Sequence, residues 1–350
     1  MAANFSSDSV STVDTFANVS HSKCTGCQLT QKSFDIILND EDRLLQFLYD
    51  HDVLKETRQC DQCDKPMNLR DSTFYCNKRT FTKNKNKKRV SVQCRFQISQ
   101  NYRTWFENAR IPRSKVCNLV SMWVLLRPPR IDIMALELNI CKKTCIDWCS
   151  FLREVCAHYV LRTRDGKLGG PGKVVEIDEA KIGRSKYNRG RRIEGSWIFG
   201  GIERGTKKCF LCPVASRDAV TLLTLIRENI EPGTTIISDC WKAYSRLSNE
   251  DFQHFTVNHS YNFVDPETNA HTQNIERLWR EVRSSVPRYG NRKHHLHGHL
   301  AEFIFRYKNP DYVNRIHEIF IAIGKLYDGS PLPAAEDDSA SDSDVDSSVE

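Results

Sequence analysis

Strands and helices are predicted to alternate between residues 172 and 310. Short apolar or alternating runs bounded by turn residues are typical of strands in a mixed sheet. They occupy 173–180, 195–204, 207–214, 234–240 and 254–259. The first and fourth runs are predicted to end in a carboxylate, at Asp178 and Asp239. If these two strands are parallel neighbours, both carboxylates leave the sheet at one edge and can share divalent metal ions.

A helix predicted over residues 271–286 supplies a third carboxylate. Its apolar residues recur at helical spacing and form a buried stripe of Ile275, Leu278, Trp279 and Val282. At about 100° per residue, Glu276, Arg280 and Arg283 share the flank beside that stripe. Glu276 would therefore project beside the edge that carries the two aspartates, with the arginines aligned to hold phosphates. The alternative is an ordinary salt-bridged α/β surface.

Residues 112–165 are predicted to be helical, with a helix–turn–helix near their centre. Its first helix ends at Leu138, the turn passes through Asn139, and the second helix begins near Lys142. The second helix has a buried stripe of Cys145, Trp148, Cys149, Leu152 and Cys156. Lys142 and Lys143 lie off that stripe at the start of the helix, where side chains meet a DNA major groove. An ordinary three-helix connector is the alternative interpretation.

Residues 57–110 are rich in cysteine and form too small a block to build their own core. Cys60 and Cys63, with two residues between them, can hold a tetrahedral metal from one side. Cys76 and Cys94 can complete a four-cysteine zinc site if a hairpin brings them in, and the zinc would stabilise the block. The alternative leaves Cys94 as a buried thiol, because seventeen residues separate it from Cys76.

Two further features accompany this block. Between Cys76 and Cys94 the chain has seven basic residues and no acid, which suits a phosphate-contacting finger, a nuclear-import run or a solvated loop. Cys24 and Cys27 form another pair with a two-residue gap but have no partners nearby in the sequence. They could replace a missing zinc ligand.

The formal charge of +7 conceals a strong asymmetry. Residues 331–350 contain seven acids and no base, so the rest of the chain carries a formal charge of +14. A body this basic points to a polyanionic partner. The Ser- and Asp-rich stretch 331–350 and the Ser- and Thr-rich stretch 1–30 predict disorder, whereas 31–56 is predicted to be a helical entry segment.

Cysteine content and hydropathy exclude some classes of protein. The chain has fourteen cysteines and no secretory signal pattern at its start, so we expect thiols and metal ligands, not disulfides. No run approaches about eighteen consecutive apolar residues, so no membrane-spanning helix is expected. The length of 350 residues allows two or three folded modules.

Several long blocks resemble, in the same order, the transposases of the Merlin superfamily of DNA transposons and their bacterial insertion-sequence relatives. The blocks are VVEIDEAKIGRSKYNRGRR, WIFGGIERGTKKCFLCPV, PGTTIISDCWKAYSRL, TVNHSYNFVDPETNAHTQNIERLWREVR and PRYGNRK. The resemblance covers roughly residues 57–310. It implies an α/β chain with an RNase H-like mixed-sheet core at 172–310, preceded by a zinc ribbon at 57–110 and a helix–turn–helix at 112–165.

The resemblance also implies a DDE metal triad. Its first Asp falls on Asp178, its second on Asp239 and its Glu on Glu276. Four bases of the matched motif KYNRGRR suit a DNA-gripping hairpin beside the active site: Lys186, Arg189, Arg191 and Arg192. The chain departs from the family's pattern mainly between Cys76 and Cys94, where the ribbon is expanded.

We therefore expect a DNA transposase of a cut-and-paste element. Two Mg²⁺ or Mn²⁺ ions, bridged by Asp178 and flanked by Asp239 and Glu276, would support cleavage of transposon ends and strand transfer into a target. A structural Zn²⁺ would be a second cofactor. The expected partners are double-stranded DNA and further copies of the chain, in a homodimer or higher oligomer, with no membrane.

Two other functions fit the same residues. A domesticated DNA-binding protein would keep the zinc ribbon and helix–turn–helix without mobilising DNA. A repair or recombination nuclease would cut DNA without joining ends. The basic run at 83–89 and the acidic tail are compatible with the nucleus if the source is eukaryotic, and a cytoplasmic location is expected otherwise.

Overall fold

In the computed structural model of the chain, the described residues are 23–83, 85, 88–164, 166–183, 195–241, 244, 247, 250–257, 270–287 and 295–327. Of the termini predicted to be disordered, 1–30 and 331–350, they include only residues 23–30. That stretch is tied to the helical part of the molecule by backbone hydrogen bonds to Asp50 and Val313. No helix in the described part of the chain is long and apolar enough to cross a membrane.

The described helices, in chain order, are α1 Gln31–Leu38, α2 Glu41–Asp50, α3 Arg113–Leu125, α4 Ile131–Glu137, α5 Lys142–Arg162, α6 Ala219–Asn229, α7 Gln273–Ser285, α8 Leu296–Lys308 and α9 Arg315–Leu326. The described strands are β1 Asn68–Arg70, β2 Thr73–Tyr75, β3 Arg79–Lys83, β4 Arg89–Gln93, β5 Gln97–Ser99, β6 Leu168–Gly169, β7 Val174–Ile182, β8 Ser196–Glu203, β9 Cys209–Val214, β10 Ile230–Glu231, β11 Thr235–Asp239 and β12 Gln253–Val257.

Helices α1 to α5, α8 and α9 share a helical core. Phe34 of α1, Trp123 of α3 and Phe320 of α9 are fully buried in it. Arg306 of α8 donates to the carbonyl oxygens of Val124 (2.7 Å) and Leu126 (3.1 Å), so it binds the carboxyl end of α3. Because α8 also packs against strands β7 and β8, it joins the helical body to the sheet that these strands form.

Two helices, α4 and α5, flank the turn that the sequence predicted near Asn139. A four-residue connection links α4 to α5, and Asn139 adopts a positive φ of 47° in it, a conformation that asparagine tolerates well. All five residues of the predicted stripe on α5 are buried. Lys142 and Lys143 are exposed at the start of α5. The positions of the two helices agree with the sequence pattern, while the helix–turn–helix and its use in binding DNA remain predictions.

The cysteine-rich block contains two small sheets. Strands β1, β2 and β5 form an antiparallel three-stranded sheet, and β3 and β4 pair separately as an antiparallel hairpin. This hairpin occupies most of the sequence between Cys76 and Cys94. Because its two strands run side by side, they return the chain to Cys76 despite the long gap in sequence.

The block at residues 172–310 folds around a five-stranded mixed sheet with the order β12-β11-β7-β8-β9. Strands β7, β11 and β12 are parallel, whereas β8 is antiparallel to both β7 and β9. Numbered within this block, the strand order is 3-2-1-4-5 with the second strand reversed, which is the RNase H-like arrangement. The predicted fold class is confirmed.

Alternation along β7 divides the core between the two faces of this sheet. Val175 and Ile177 point to the side covered by α6, where they pack in a cluster with Leu222 and Ile226. Ala180 and Ile182 belong to the cluster on the other side, which is covered by α7 and α8. The even-numbered residues of β7 therefore face α7.

Candidate active site and metal centres

Asp178 and Asp239 are brought together where the parallel part of the sheet ends. Strands β7 and β11 pair from Val174–Thr235 to Glu176–Ile237. Continuing this register by two residues sets Asp239 beside Asp178. Residues in register on neighbouring strands lie on the same face, so both carboxylates are directed to the side of α7. The predicted parallel pairing of these two strands is confirmed.

The prediction that the first strand ends at Asp178 is wrong. β7 runs four residues further, to Ile182, because β8 continues to pair with it after β11 has ended. Asp178 lies opposite Gly200 of β8. It is therefore held by a continuous antiparallel ladder on one side, while the other side opens towards Asp239.

Helix α7 lies over this face and brings two functional side chains to Asp178. The indole Nε1 of Trp279 donates to Asp178 Oδ2 at 3.1 Å. Gly200 leaves room for this indole, since a Cβ there would lie 2.7 Å from Trp279 Cη2. Glu276 is exposed in the first turn of α7, where Thr272 Oγ1 donates to its Oε1 at 3.4 Å. The predicted buried stripe of α7 is confirmed.

Glu176 fixes the start of α7, a role that the sequence pattern did not reveal. Its carboxylate is fully buried and accepts hydrogen bonds from the backbone N–H groups of Asn274 (2.9 Å) and Ile275 (3.0 Å). Arg204 Nε lies 2.7 Å from Glu176 Oε1. A carboxylate at a helix N-terminus also interacts favourably with the helix dipole. The available signal was an acid inside an apolar strand, two residues before Asp178 and on its face.

The acids of this site affect each other electrostatically. Burial raises the pKa of the Asp178 carboxyl to about 6, and the negative charges of Asp239 and Glu276 add to the increase. Burial, followed by the charges of Asp178 and Asp239, raises the pKa of Glu179 to about 8. Glu179 is therefore mostly protonated at neutral pH and adds little charge. Sequence reasoning did not single out Glu179.

The three carboxylates are spaced more widely than the ligands of a single ion. Within the described part of the chain, two groups of Cys and His residues are compact: in each group all ligand atoms lie within 4.8 Å of one another. The three acids do not form such a group. A pair of ions about 4 Å apart requires only that one bridging carboxylate reach both, so the outer ligands lie further apart. Asp178 is the acid whose pKa both Asp239 and Glu276 raise.

One of the compact groups is the predicted zinc site. Cys60, Cys63, Cys76 and Cys94 come together, including the fourth ligand that the sequence left open. The Sγ atoms of Cys60 and Cys94 are 3.7 Å apart, and those of Cys63 and Cys76 are 3.5 Å apart. Four sulfurs about 2.3 Å from a tetrahedral zinc would be about 3.8 Å from each other. The residues therefore fit a Zn²⁺ ion.

The structure describes only some of the predicted DNA contacts. Arg280 and Arg283 are exposed on α7, on the same side as Glu276. Lys142 is exposed but forms an ion pair with Asp132 of α4, at 2.8 Å. The four bases of the predicted gripping hairpin lie outside the described residues: Lys186, Arg189, Arg191 and Arg192.

Known proteins resemble this chain mainly over the block that contains the five-stranded sheet. Residues 167–308 match the family model of the ISXO2-like transposase domain. An uncharacterized transposase-like protein of Haemophilus influenzae is 27% identical over 110 residues, which cover 31% of this chain and 88% of that protein. These matches do not test the narrower resemblance to Merlin elements, which stays a prediction.

Solved structures overlap only loosely with this chain. The HTLV-2 integrase catalytic core domain, in complex with magnesium, has a TM-score of 0.26 at 10% identity, covering 43% of this chain and 95% of its own. The Mos1 strand transfer complex has a TM-score of 0.25 at 8% identity, covering 57% and 71% respectively. Overlaps of this quality carry no inference. What the sequence match shows is that residues 167–308 are similar to an ISXO2-like transposase domain.

Proposed function

We propose that this chain is a DNA transposase that cleaves phosphodiester bonds at the ends of a mobile element and joins the freed 3′ ends to a target, in a cut-and-paste reaction. One observation carries the proposal. Asp178 and Asp239 lie in register on adjacent parallel strands, with Glu276 on the helix that covers them, inside the segment that matches the transposase family.

The three acids are suited to divalent cations. Carboxylate oxygens are the ligands that Mg²⁺ and Mn²⁺ prefer. The pKa of Asp178 rises through burial and through repulsion from Asp239 and Glu276, and bound cations would relieve that repulsion. Asp178, Asp239 and Glu276 would hold these ions. Such ions would activate the attacking water or 3′-hydroxyl and stabilise the leaving oxygen.

The protein itself positions these groups. Trp279 holds one oxygen of Asp178 by a hydrogen bond. Glu176 sets the start of α7 and therefore the place of Glu276. Because β7, the neighbouring strand β11 and the anchored helix α7 carry these groups, little reorganisation is needed before an in-line displacement at phosphorus.

The remaining modules would bind DNA and hold the ends. We assign Lys142 and Lys143 of the helix–turn–helix to the major groove, and the bases of the β3–β4 hairpin to phosphates. Cys60, Cys63, Cys76 and Cys94, here called the Cys60 group, would stabilise the ribbon by binding zinc. A synaptic complex must hold two transposon ends, which calls for a dimer or higher oligomer. The nucleus is the expected location in a eukaryotic source.

The purified full-length chain and the terminal repeats that flank its gene test this function. With Mg²⁺ or Mn²⁺ we expect cleavage at the repeats and joining of the 3′ ends to plasmid DNA, and EDTA should stop both reactions. Joined products must be sequenced to show insertion at the cut ends. Structure-dependent nicking without joining would identify a nuclease. Binding of the repeats with no metal-dependent chemistry would identify a domesticated binding protein.

Arginines on α7 provide a separate prediction. The double variant Arg280→Ala/Arg283→Ala should bind DNA more weakly, and the slope of log affinity against log salt should fall by about 1.8, because each lost phosphate contact removes about 0.9. Fluorescence anisotropy at several salt concentrations measures this slope. Arg277→Ala is the matched control, because Arg277 lies on the same helix and pairs with Glu281. An unchanged slope in the double variant would remove both arginines from the DNA interface.

A further inference from the structure

Four metal-ligand side chains from distant parts of the chain meet on the helical body. Cys24 and Cys27 lie before α1, His51 follows α2 as its C-cap, and His317 lies in the first turn of α9. Their ligand atoms all lie within 4.8 Å of one another. The sequence had shown only the Cys24–Cys27 pair, and the structure places this pair away from the cysteine-rich block, whose own four ligands are complete without it.

The distances in this group match the edges of a zinc tetrahedron. With Zn–S of about 2.3 Å and Zn–N of about 2.05 Å, a sulfur and a nitrogen would be about 3.55 Å apart and two nitrogens about 3.35 Å. His317 Nδ1 lies 3.6 Å from Cys24 Sγ and 3.5 Å from Cys27 Sγ. His51 Nε2 lies 3.5 Å from Cys27 Sγ and 3.1 Å from His317 Nδ1. The group is thus as compact as the Cys60 group.

The orientation of His51 is that of a metal ligand. Its Nδ1 is 2.7 Å from the carbonyl oxygen of Phe47, so the proton on Nδ1 is donated to that oxygen. The lone pair of Nε2 then points at the two sulfurs and at His317. Metal-bound histidines usually have such a partner on the other ring nitrogen, because it fixes both the tautomer and the ring orientation. The ring of His51 is 2% exposed and that of His317 8%, so both are directed inward.

The backbone around the group is arranged to bring the three segments together. Cys24 N donates to the carbonyl oxygen of Asp50 at 2.9 Å, next to His51. Gly324 lies seven residues after His317 on α9, so it shares the face that carries the histidine. A Cβ at Gly324 would collide with the carbonyl oxygen of His51. Glycine at this position allows α9 to approach the end of α2 closely enough for the two imidazoles to meet.

We propose that Cys24, Cys27, His51 and His317 form a second, structural zinc site of the Cys₂His₂ type. Two thiolates and two neutral imidazoles are a ligand set that zinc binds tetrahedrally, and four protein ligands leave no open position for substrate. The site links the start of the described chain to α9, which is 293 residues away, and so fastens the first and last helices of the helical body to each other. It is independent of the proposed catalytic chemistry.

Metal content of the reduced full-length protein tests this site directly. We expect two zinc ions per chain by mass spectrometry of the metal and by release to a chromogenic chelator. The double variant Cys24→Ser/Cys27→Ser should hold one ion, and Cys60→Ser/Cys63→Ser should also hold one. Cys141→Ser is the matched control and should keep two, because Cys141 caps α5 and serine can take over that role.

Cobalt substitution separates the two sites by their sulfur content. Absorbance from thiolate-to-cobalt charge transfer grows with the number of Co–S bonds, so a Cys₂His₂ site should supply about one third of the signal and a Cys₄ site about two thirds. His317→Cys should keep the metal at this site and raise the total absorbance. His317→Asn should lose the metal at this site and the share of the absorbance that this site supplies. This readout needs no DNA substrate, so it distinguishes failure of the zinc proposal from failure of the proposed function.

Two results would overturn the proposal. In the first, the wild-type chain holds one zinc ion and Cys24→Ser/Cys27→Ser still holds it, so that only the Cys60 group binds metal. A disulfide between Cys24 and Cys27 in place of zinc would show up as two fewer thiols when the unreduced protein is denatured in a chelator and its thiols are titrated. The wild-type stoichiometry decides the question even if a variant fails to fold.

Discussion

Replacing Asp239 with Asn should lower both end cleavage and strand transfer by at least about 1,000-fold. Stabilisation by active-site metal ions contributes several kcal/mol, and each 1.4 kcal/mol changes the rate about tenfold. The amide has the shape of the carboxylate and keeps an oxygen for the hydrogen bond from Trp241 N, 3.2 Å from Asp239 Oδ1. The fold should therefore survive, so the loss reflects chemistry. Rates on oligonucleotide ends with Mg²⁺ and with Mn²⁺ measure the effect.

A matched pair on α7 separates catalysis from charge. Glu276→Gln should be as defective as Asp239→Asn, whereas Glu281→Gln, one and a half turns further along the same helix, should keep near-normal rates. DNA affinity should be similar in all three variants. Metal chemistry predicts a loss of about 1,000-fold in Asp239→Asn. If this variant kept more than about a tenth of wild-type activity, the assignment of the Asp239 carboxylate would be refuted.

Local sequence signals predicted the elements of the catalytic block well. A short apolar run predicts a buried strand such as 234–240, and a stripe of apolar residues at helical spacing predicts α7, because burial on one face is a local constraint. The end of β7 was predicted wrongly. Where a strand stops depends on how far its neighbours extend, and β8 continues beyond the end of β11.

Contacts between distant residues could not be predicted in the same way. Trp279 was expected only as part of a buried stripe, yet its indole N–H reaches Asp178, 101 residues away. The partner of Cys24 is His317, and nothing in the residues between them fixes that pairing. Such pairs depend on how helices and strands pack, and packing is set by the whole core. Sequence patterns therefore predicted the ligands of the Cys60 group, which are near one another in the sequence. They showed the Cys24–Cys27 pair but not its partners His51 and His317.

Replacing Glu176 with Ala should loosen α7 more than any surface change on the same block. The substitution leaves two backbone N–H groups at the start of the helix and the Arg204 guanidinium without their buried acceptor. Removing one partner of a buried ion pair costs about 3–5 kcal/mol. We expect about 3 kcal/mol, the lower end of that range, because the Arg204 side chain is 26% exposed and keeps its bond to the carbonyl oxygen of His271.

Hydrogen exchange measured by mass spectrometry reads this effect at the helix itself. A loss of about 3 kcal/mol corresponds to exchange roughly 100-fold faster in residues 273–285, if local opening of α7 limits it. Glu250→Ala is the matched control: it removes the partly exposed ion-pair partner of Arg227 and should leave exchange in α7 unchanged. The conservative variant Glu176→Gln keeps the shape of the side chain and should fall between the two.

Activity should follow the position of α7 and not the overall stability of the chain. Because Glu176 acts through the helix that carries Glu276, the Gln variant should lose turnover while its DNA affinity stays close to that of the wild type. Raising the Mg²⁺ concentration should partly restore it, since a displaced Glu276 weakens metal binding without removing the ligand. If exchange in α7 accelerates but turnover and its metal dependence do not change, Glu176 is only a structural anchor, and the link from this buried acid to the catalytic site is wrong.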